Sequence, residues 1–231
     1  MAVFLLVAGL LAAAPAGACM FCASESDPGV KTLLERIEKE GETMVPVLRE
    51  IAACPNPGHE PARVCAIGAL ADFGDRESIS FLRSLVFELL DPEVEGNYGP
   101  WTPDASVRAA AARALSRLEV GGLNQKLFSA WRDLPPPRRR ELPRLIGELR
   151  EGSAVLLAEI VREESDRETV FQAVIQLRRC GSRAQLGVLR DLQERWKNEC
   201  ARPTENGRED RYLSQQREYL GKTIRGLEVR R

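Results

Sequence analysis

The sequence predicts an all-α fold, an α-solenoid of about five helical hairpins closed by a C-terminal capping helix. Three observations carry that expectation. First, five apolar helical stretches each run on to a glycine: Leu33–Ile37 to Gly41, Ile67–Leu70 to Gly74, Ala111–Leu115 to Gly121, Leu145–Leu149 to Gly152 and Val174–Leu177 to Gly181. Those glycines are separated by 33, 47, 31 and 29 residues, the period of stacked helical hairpins with one insertion. Second, the 44% hydrophobic content is mostly Leu, Ala, Val and Ile, with only 6% aromatic residues, which suits helices packing on helices. Third, no stretch alternates polar and apolar residues with the β-branched types that a sheet needs.

The elements follow in order. Residues 1–18 read as a signal peptide, 19–27 as a tail, and 28–231 as the solenoid, with an inserted loop at 91–103. Val107, Ala110, Ala111, Ala114, Leu115 and Leu118 recur at steps of three and four, so they share one helix face. A glycine just past a helix supplies the left-handed turn that ends it. Asp75 and Ser182 stand where they can cap the helix that follows. Pro61, Pro103 and Pro137 fall near helix starts, where the missing N–H costs little. Residues 206–228 form the final helix, covering the open end.

Two stretches resemble HEAT repeats, the helical-hairpin family that includes the PBS-lyase-type repeats. They are Arg63–Asp75 and Pro103–Leu115. Asp104, Val107 and Arg108 occupy the Asp-x-x-Val-Arg pattern that often opens the family's first helix. The other three repeats rest on spacing, and the resemblance covers roughly residues 28 to 200 by repeat counting. It implies a HEAT-like α-solenoid used for protein–protein contact, with structural consensus residues and no active site of its own.

The N-terminus reads as an export signal. Ala2 to Ala14 is uncharged and apolar but short for a bilayer span. Ala16-Gly17-Ala18 then gives the small-x-small pattern of a cleavage site. No Lys or Arg precedes Lys31, so the usual basic start is missing. Ala16-Gly17-Ala18-Cys19 also resembles a bacterial lipobox, with Ala16 where that family favours Leu. Cys19 is therefore a lipidation candidate beside the plain cleaved signal. The protein is expected to be exported: periplasmic, lipid-anchored to the envelope through Cys19, or secreted.

Six cysteines in an exported chain suggest disulfides: Cys19, Cys22, Cys54, Cys65, Cys180 and Cys200. Hairpin geometry gathers Cys22, Cys54 and Cys65 at one edge. Cys54–Cys65 is the first pairing expected and Cys22–Cys54 the second, either one stabilising by roughly 2–4 kcal/mol. Cys180 and Cys200 read as buried or partly buried thiols. Cys19-x-x-Cys22 has zinc-ligand spacing, but Cys54 and Cys65 do not, so no metal is assigned.

Conventional catalysis is poorly supplied. His59 is the only histidine and lies in a proline-rich turn, where it reads as exposed. No phosphate-binding glycine loop and no dinucleotide fingerprint occurs, so no catalytic residue and no cofactor are assigned. A net charge of −1 together with export argues against a nucleic-acid partner. Arg138, Arg139, Arg140 and Arg144 read as solvated or paired with carboxylates. The 91–103 loop is acidic and turn-rich. Its Glu93, Glu95, Tyr98 and Trp101 are the protein-binding candidates; Trp101 folded back onto a hairpin is the other reading. The function expected is an exported scaffold or adaptor, not an enzyme, that binds another protein through its solenoid surface and this loop. The alternatives are an accessory protein for a cofactor-attachment or maturation enzyme, and a thiol-based redox or metal-binding protein using Cys19, Cys22, Cys54 and Cys65.

Overall fold

The computed structural model describes residues 28–56, 58–93, 98–99, 102–200 and 211–230. The expectations for residues 1–27, including the signal peptide, Cys19 and Cys22, and those for Glu95 and Trp101, lie outside the described residues. Among the described residues the chain is all-helical, with no strand. It divides into two compact units, residues 1–69 and 70–231.

In the first unit α1 (Pro28–Glu40) turns at Gly41 into α2 (Val45–Ala53); α3 (Glu60–Asp72) begins after the proline-rich turn and its last residues, from Leu70, belong to the second unit. Leu48, Ile51 and Ala52 of α2 are buried at steps of three and one, the inward stripe of a short amphipathic helix. Val30, Leu33 and Met44 are buried before them, and Ala62, Ala66 and Ile67 after. Arg63 Nε donates to the Ala52 carbonyl at 3.1 Å, which ties the start of α3 to the end of α2.

The second unit contains α4 (Ile79–Phe87), α5 (Pro103–Arg117), α6 (Leu123–Ala130) and α7 (Pro136–Leu149). α8 (Ser153–Glu163), α9 (Arg167–Cys180), α10 (Leu186–Cys200) and α11 (Arg211–Glu228) complete it. α4 packs on α5, α5 on α7, α7 on α9 and α9 on α11. α6 packs on α7, α8 on α7, α9 and α10, and α10 on α11. Alternate helices therefore touch in chain order.

The sequence explains this order. Ala105, Ala109, Ala110, Ala111, Ala112 and Ala114 are all buried. α5 is thus covered on most of its sides, as a helix with neighbours on two sides must be, and its alanines let those neighbours approach. Helix starts are fixed locally: Thr102 accepts from the Ala105 N–H, and Asp166 from the Thr169 N–H. Ser182 and Gln185 form a reciprocal capping box. Asp75 departs from expectation, because its carboxylate accepts the Ser78 hydroxyl instead of a backbone N–H. The last helix begins at Arg211, within the span expected for it.

The glycines divide by role. Gly74 and Gly152 take φ +68 and +64, the left-handed turn expected of them. Gly181 does not; its φ is −72. Space is its reason, since a Cβ there would lie 2.5 Å from the Leu177 carbonyl oxygen. Gly147, inside α7, is a contact point with α9: a Cβ would fall 2.6 Å from Gln176 Oε1 and 2.9 Å from its Cγ. An exposed helical glycine gains about 1 kcal/mol on becoming alanine. Gly147→Ala is expected instead to lose about 1–3 kcal/mol through overpacking, read as a lower midpoint in denaturant.

Candidate functional site

The root of the 91–103 loop is held by a buried ion pair. Arg108 of α5 meets Glu141 of α7 in a fork, Nε to Oε1 at 2.6 Å and Nη2 to Oε2 at 2.9 Å. Their side chains are 2% and 0% exposed. Burial alone would lower the Arg108 pKa; hydrogen bonds and charge from Glu141 outweigh it, and the net shift is upward. Glu141 Oε2 also accepts from the Gly99 N–H at 3.4 Å. Glu88 approaches Arg108 at 3.8 Å.

Tyr98 is placed differently from a projecting anchor. It is half-buried, and its ring stacks against Arg138 at 4.1 Å and Arg108 at 5.0 Å. Its hydroxyl donates to the Glu88 carbonyl at 3.5 Å. Burial, the largest influence, raises its pKa against the pull of Arg138. Arg138 in turn donates to the carbonyls of Leu89 and Asp91. The aromatic face is therefore occupied by the protein's own cations. Glu93 is exposed, with its N–H on Asp91 Oδ1.

Two turns along α7 from that root, three helices share a second cluster. Glu148 of α7 accepts from Arg113 of α5 at 2.9 and 3.0 Å and from Arg179 of α9 at 2.8 Å. Burial would raise the Glu148 carboxyl, but the two arginines win and hold it down to about 2. Arg144 lies one helical turn before Glu148 and reaches Ser106 Oγ at 3.5 Å. Burial lowers the Arg144 pKa; attraction to Glu148 and Glu141 opposes it, and repulsion from Arg113 and Arg179 adds to it. Three arginines thus surround one glutamate. Arg113 and Arg179 keep 42% and 55% of their side chains exposed, while Glu148 keeps 5%. The surface presented is the positive part.

Of the other basic residues of α7, Arg139 and Arg140 pair with carboxylates, as expected, whereas Arg138 is buried against backbone carbonyls. Arg140 forks onto Asp166 at 3.1 and 2.9 Å. Arg139 donates to the Leu134 carbonyl and to Glu164. Arg108–Glu141, Arg113–Glu148, Glu148–Arg179 and Trp131–Glu164 join residues 33, 35, 31 and 33 positions apart. Those separations match the glycine period, so one repeat length carries a side chain to its partner on the next hairpin. Sequence reasoning missed these pairs, although the period itself was the signal that could have found them.

The cysteines also differ from expectation. Cys54 and Cys65 carry thiols and no bridge joins them. Cys54 Sγ instead lies 2.8 Å from His59 Nδ1. His59 is 4% exposed, which corrects its reading as an exposed turn residue. The turn folds back on itself: the His59 N–H donates to Asn56 O, and the His59 carbonyl accepts from the Arg63 N–H at 2.9 Å. Cys180 is a half-buried thiol that donates to the Gln176 carbonyl at 3.3 Å.

A depression of about 550 Å³ between α10 and α11 is lined mainly by charged groups, among them Glu194, Lys197, Arg217 and Glu218. No group of three or more potential metal ligands occurs among the described residues. No described helix is long and apolar enough to cross a membrane. Set against protein-family models, curated proteins and solved structures, the chain finds no match.

Proposed function

We propose that the chain is an exported α-solenoid scaffold of HEAT-like hairpins that binds another protein through the α5–α7–α9 surface. One observation carries the reading: Arg113 of α5 and Arg179 of α9 both bond the buried carboxylate of Glu148 on α7, with Arg144 one turn before it on the same helix. Such a cluster suits an acidic partner, because exposed arginines offer planar forks to carboxylates. The packing of alternate helices in chain order supports the solenoid part. The loop contributes its exposed Glu93 at the margin, while Tyr98 serves to hold the loop root.

The test is affinity capture of a partner from native extract, with wild type, an Arg144→Glu/Arg179→Glu variant and a loop-deleted variant compared. A partner recovered by wild type is expected to be lost with the charge reversal. It should weaken with added salt, since exposed ion pairs are screened. Retention of every partner by the reversed variant, with loss on loop deletion, would move the binding surface to the loop. Export is checked by the mass of the mature N-terminus.

A further inference from the structure

The first unit holds a nucleophile and a base in contact. Cys54 Sγ is 2.8 Å from His59 Nδ1, inside the reach over which a base can take a thiol proton. The two come from opposite ends of one turn. Cys54 closes α2, and His59 precedes the first residue of α3. Arg63 fixes that arrangement twice, its N–H on the His59 carbonyl and its Nε on the Ala52 carbonyl at 3.1 Å. His59 is 4% exposed, so its ring has little freedom. Cys54 is half-buried, as are Cys65 and Cys180, so the three thiols differ in their neighbours and not in their class of exposure. Neither the scaffold reading nor the arginine cluster uses this pair.

We propose that Cys54 is a site of covalent modification by low-molecular-weight disulfides, with His59 as its general base. In the reaction the Cys54 thiol gives its proton to His59 Nδ1, and the sulfur attacks one sulfur of the disulfide. The disulfide S–S bond breaks as a new bond forms between Cys54 Sγ and the attacked sulfur. The leaving thiolate takes the proton back from His59. One mixed disulfide and one free small thiol result, and the small disulfide supplies the oxidising equivalents. The thiolate is the attacking species, and an unassisted thiol holds only a small fraction of it near neutrality. At Cys54 the base stands in contact with the sulfur, placed to take the proton as the attack proceeds. Cys180 is a built-in comparison: it is half-buried, its thiol donates to Gln176 O, and burial pushes its pKa up.

The experiment exposes the full chain to oxidised glutathione and follows adduct formation at Cys54, Cys65 and Cys180 by peptide-resolved mass spectrometry. Cys54 is expected to react roughly tenfold faster than either of the others. His59→Asn keeps a polar residue before α3 and should slow Cys54 by about the same factor, leaving Cys65 unchanged. Equal rates at the three thiols of the wild-type protein would overturn the proposal. So would an unchanged Cys54 rate in His59→Asn, which would leave the contact a structural hydrogen bond. A variant that unfolds speeds Cys65 as well as Cys54; the wild-type comparison then decides alone.

Discussion

Replacing Glu141 by leucine is expected to lower the unfolding free energy by about 3 kcal/mol, because it takes the forked carboxylate from the buried Arg108 guanidinium and leaves Glu88, at 3.8 Å, as a more distant counter-charge. In a chain of this size that is a fall of roughly 10 °C in Tm. The expectation follows from burial: the pair is 2% and 0% exposed, so water cannot replace the lost carboxylate. The Gly99 N–H loses its acceptor at the same time. The effect belongs to the broken pair more than to the pair's own worth. A double variant, Arg108→Met with Glu141→Leu, removes both charges and should recover most of the loss. Thermal or denaturant unfolding of the two single variants and the double variant checks this. A Glu141→Leu loss below about 1 kcal/mol would show that Arg108 finds other partners.

Acid should loosen the α5–α7–α9 cluster through Glu148. Its carboxyl stands at about 2 in the folded chain against an ordinary 4.5. A folded pKa held below the unfolded one stabilises above the unfolded value and loses that contribution as pH falls through the folded value. The window therefore runs from about pH 4.5 down to about 2. The full shift would correspond to about 3 kcal/mol. Arg113 and Arg179 are about half-exposed, and solvent screening trims this to roughly 2 kcal/mol. Asp166, held down to about 2 chiefly by Arg140 and Thr169 against the opposing effect of burial, loses its contribution as pH falls from about 3.8 to about 2. Glu148→Gln should be less stable than wild type by that amount near neutrality. The difference should close near pH 2. A constant gap between the two chains across that range would contradict the assignment.

The parts of the fold that were legible are the local ones. Steps of three and four in Val107–Leu118, proline at helix starts and a turn glycine at Gly74 or Gly152 act within a few residues of chain. Each can be read without knowing what packs nearby. Gly181 looked like more of the same, but it is small because another group approaches it, as is Gly147 inside α7, and such an approach is set by tertiary structure. The site was less legible for the same reason. Tyr98 reads as an exposed loop aromatic until Arg108 and Arg138 arrive from α5 and α7 to cover it. His59 reads as exposed until the turn closes onto Cys54. The Arg113–Glu148–Arg179 cluster joins three helices, and no single window of sequence contains it.

The central claim is that a partner docks on the α5–α7–α9 surface, and site-specific photo-crosslinking tests it most directly. A photoreactive residue is placed at Arg179 of α9, half-exposed beside Glu148, and in a second chain at Val155 of α8, which is 64% exposed. Each chain is irradiated in native extract, and the crosslinked products are identified. The scaffold reading predicts one specific adduct from position 179, competed away by added unlabelled wild-type protein, and none from position 155. A specific adduct from position 155 with none from 179 would contradict it.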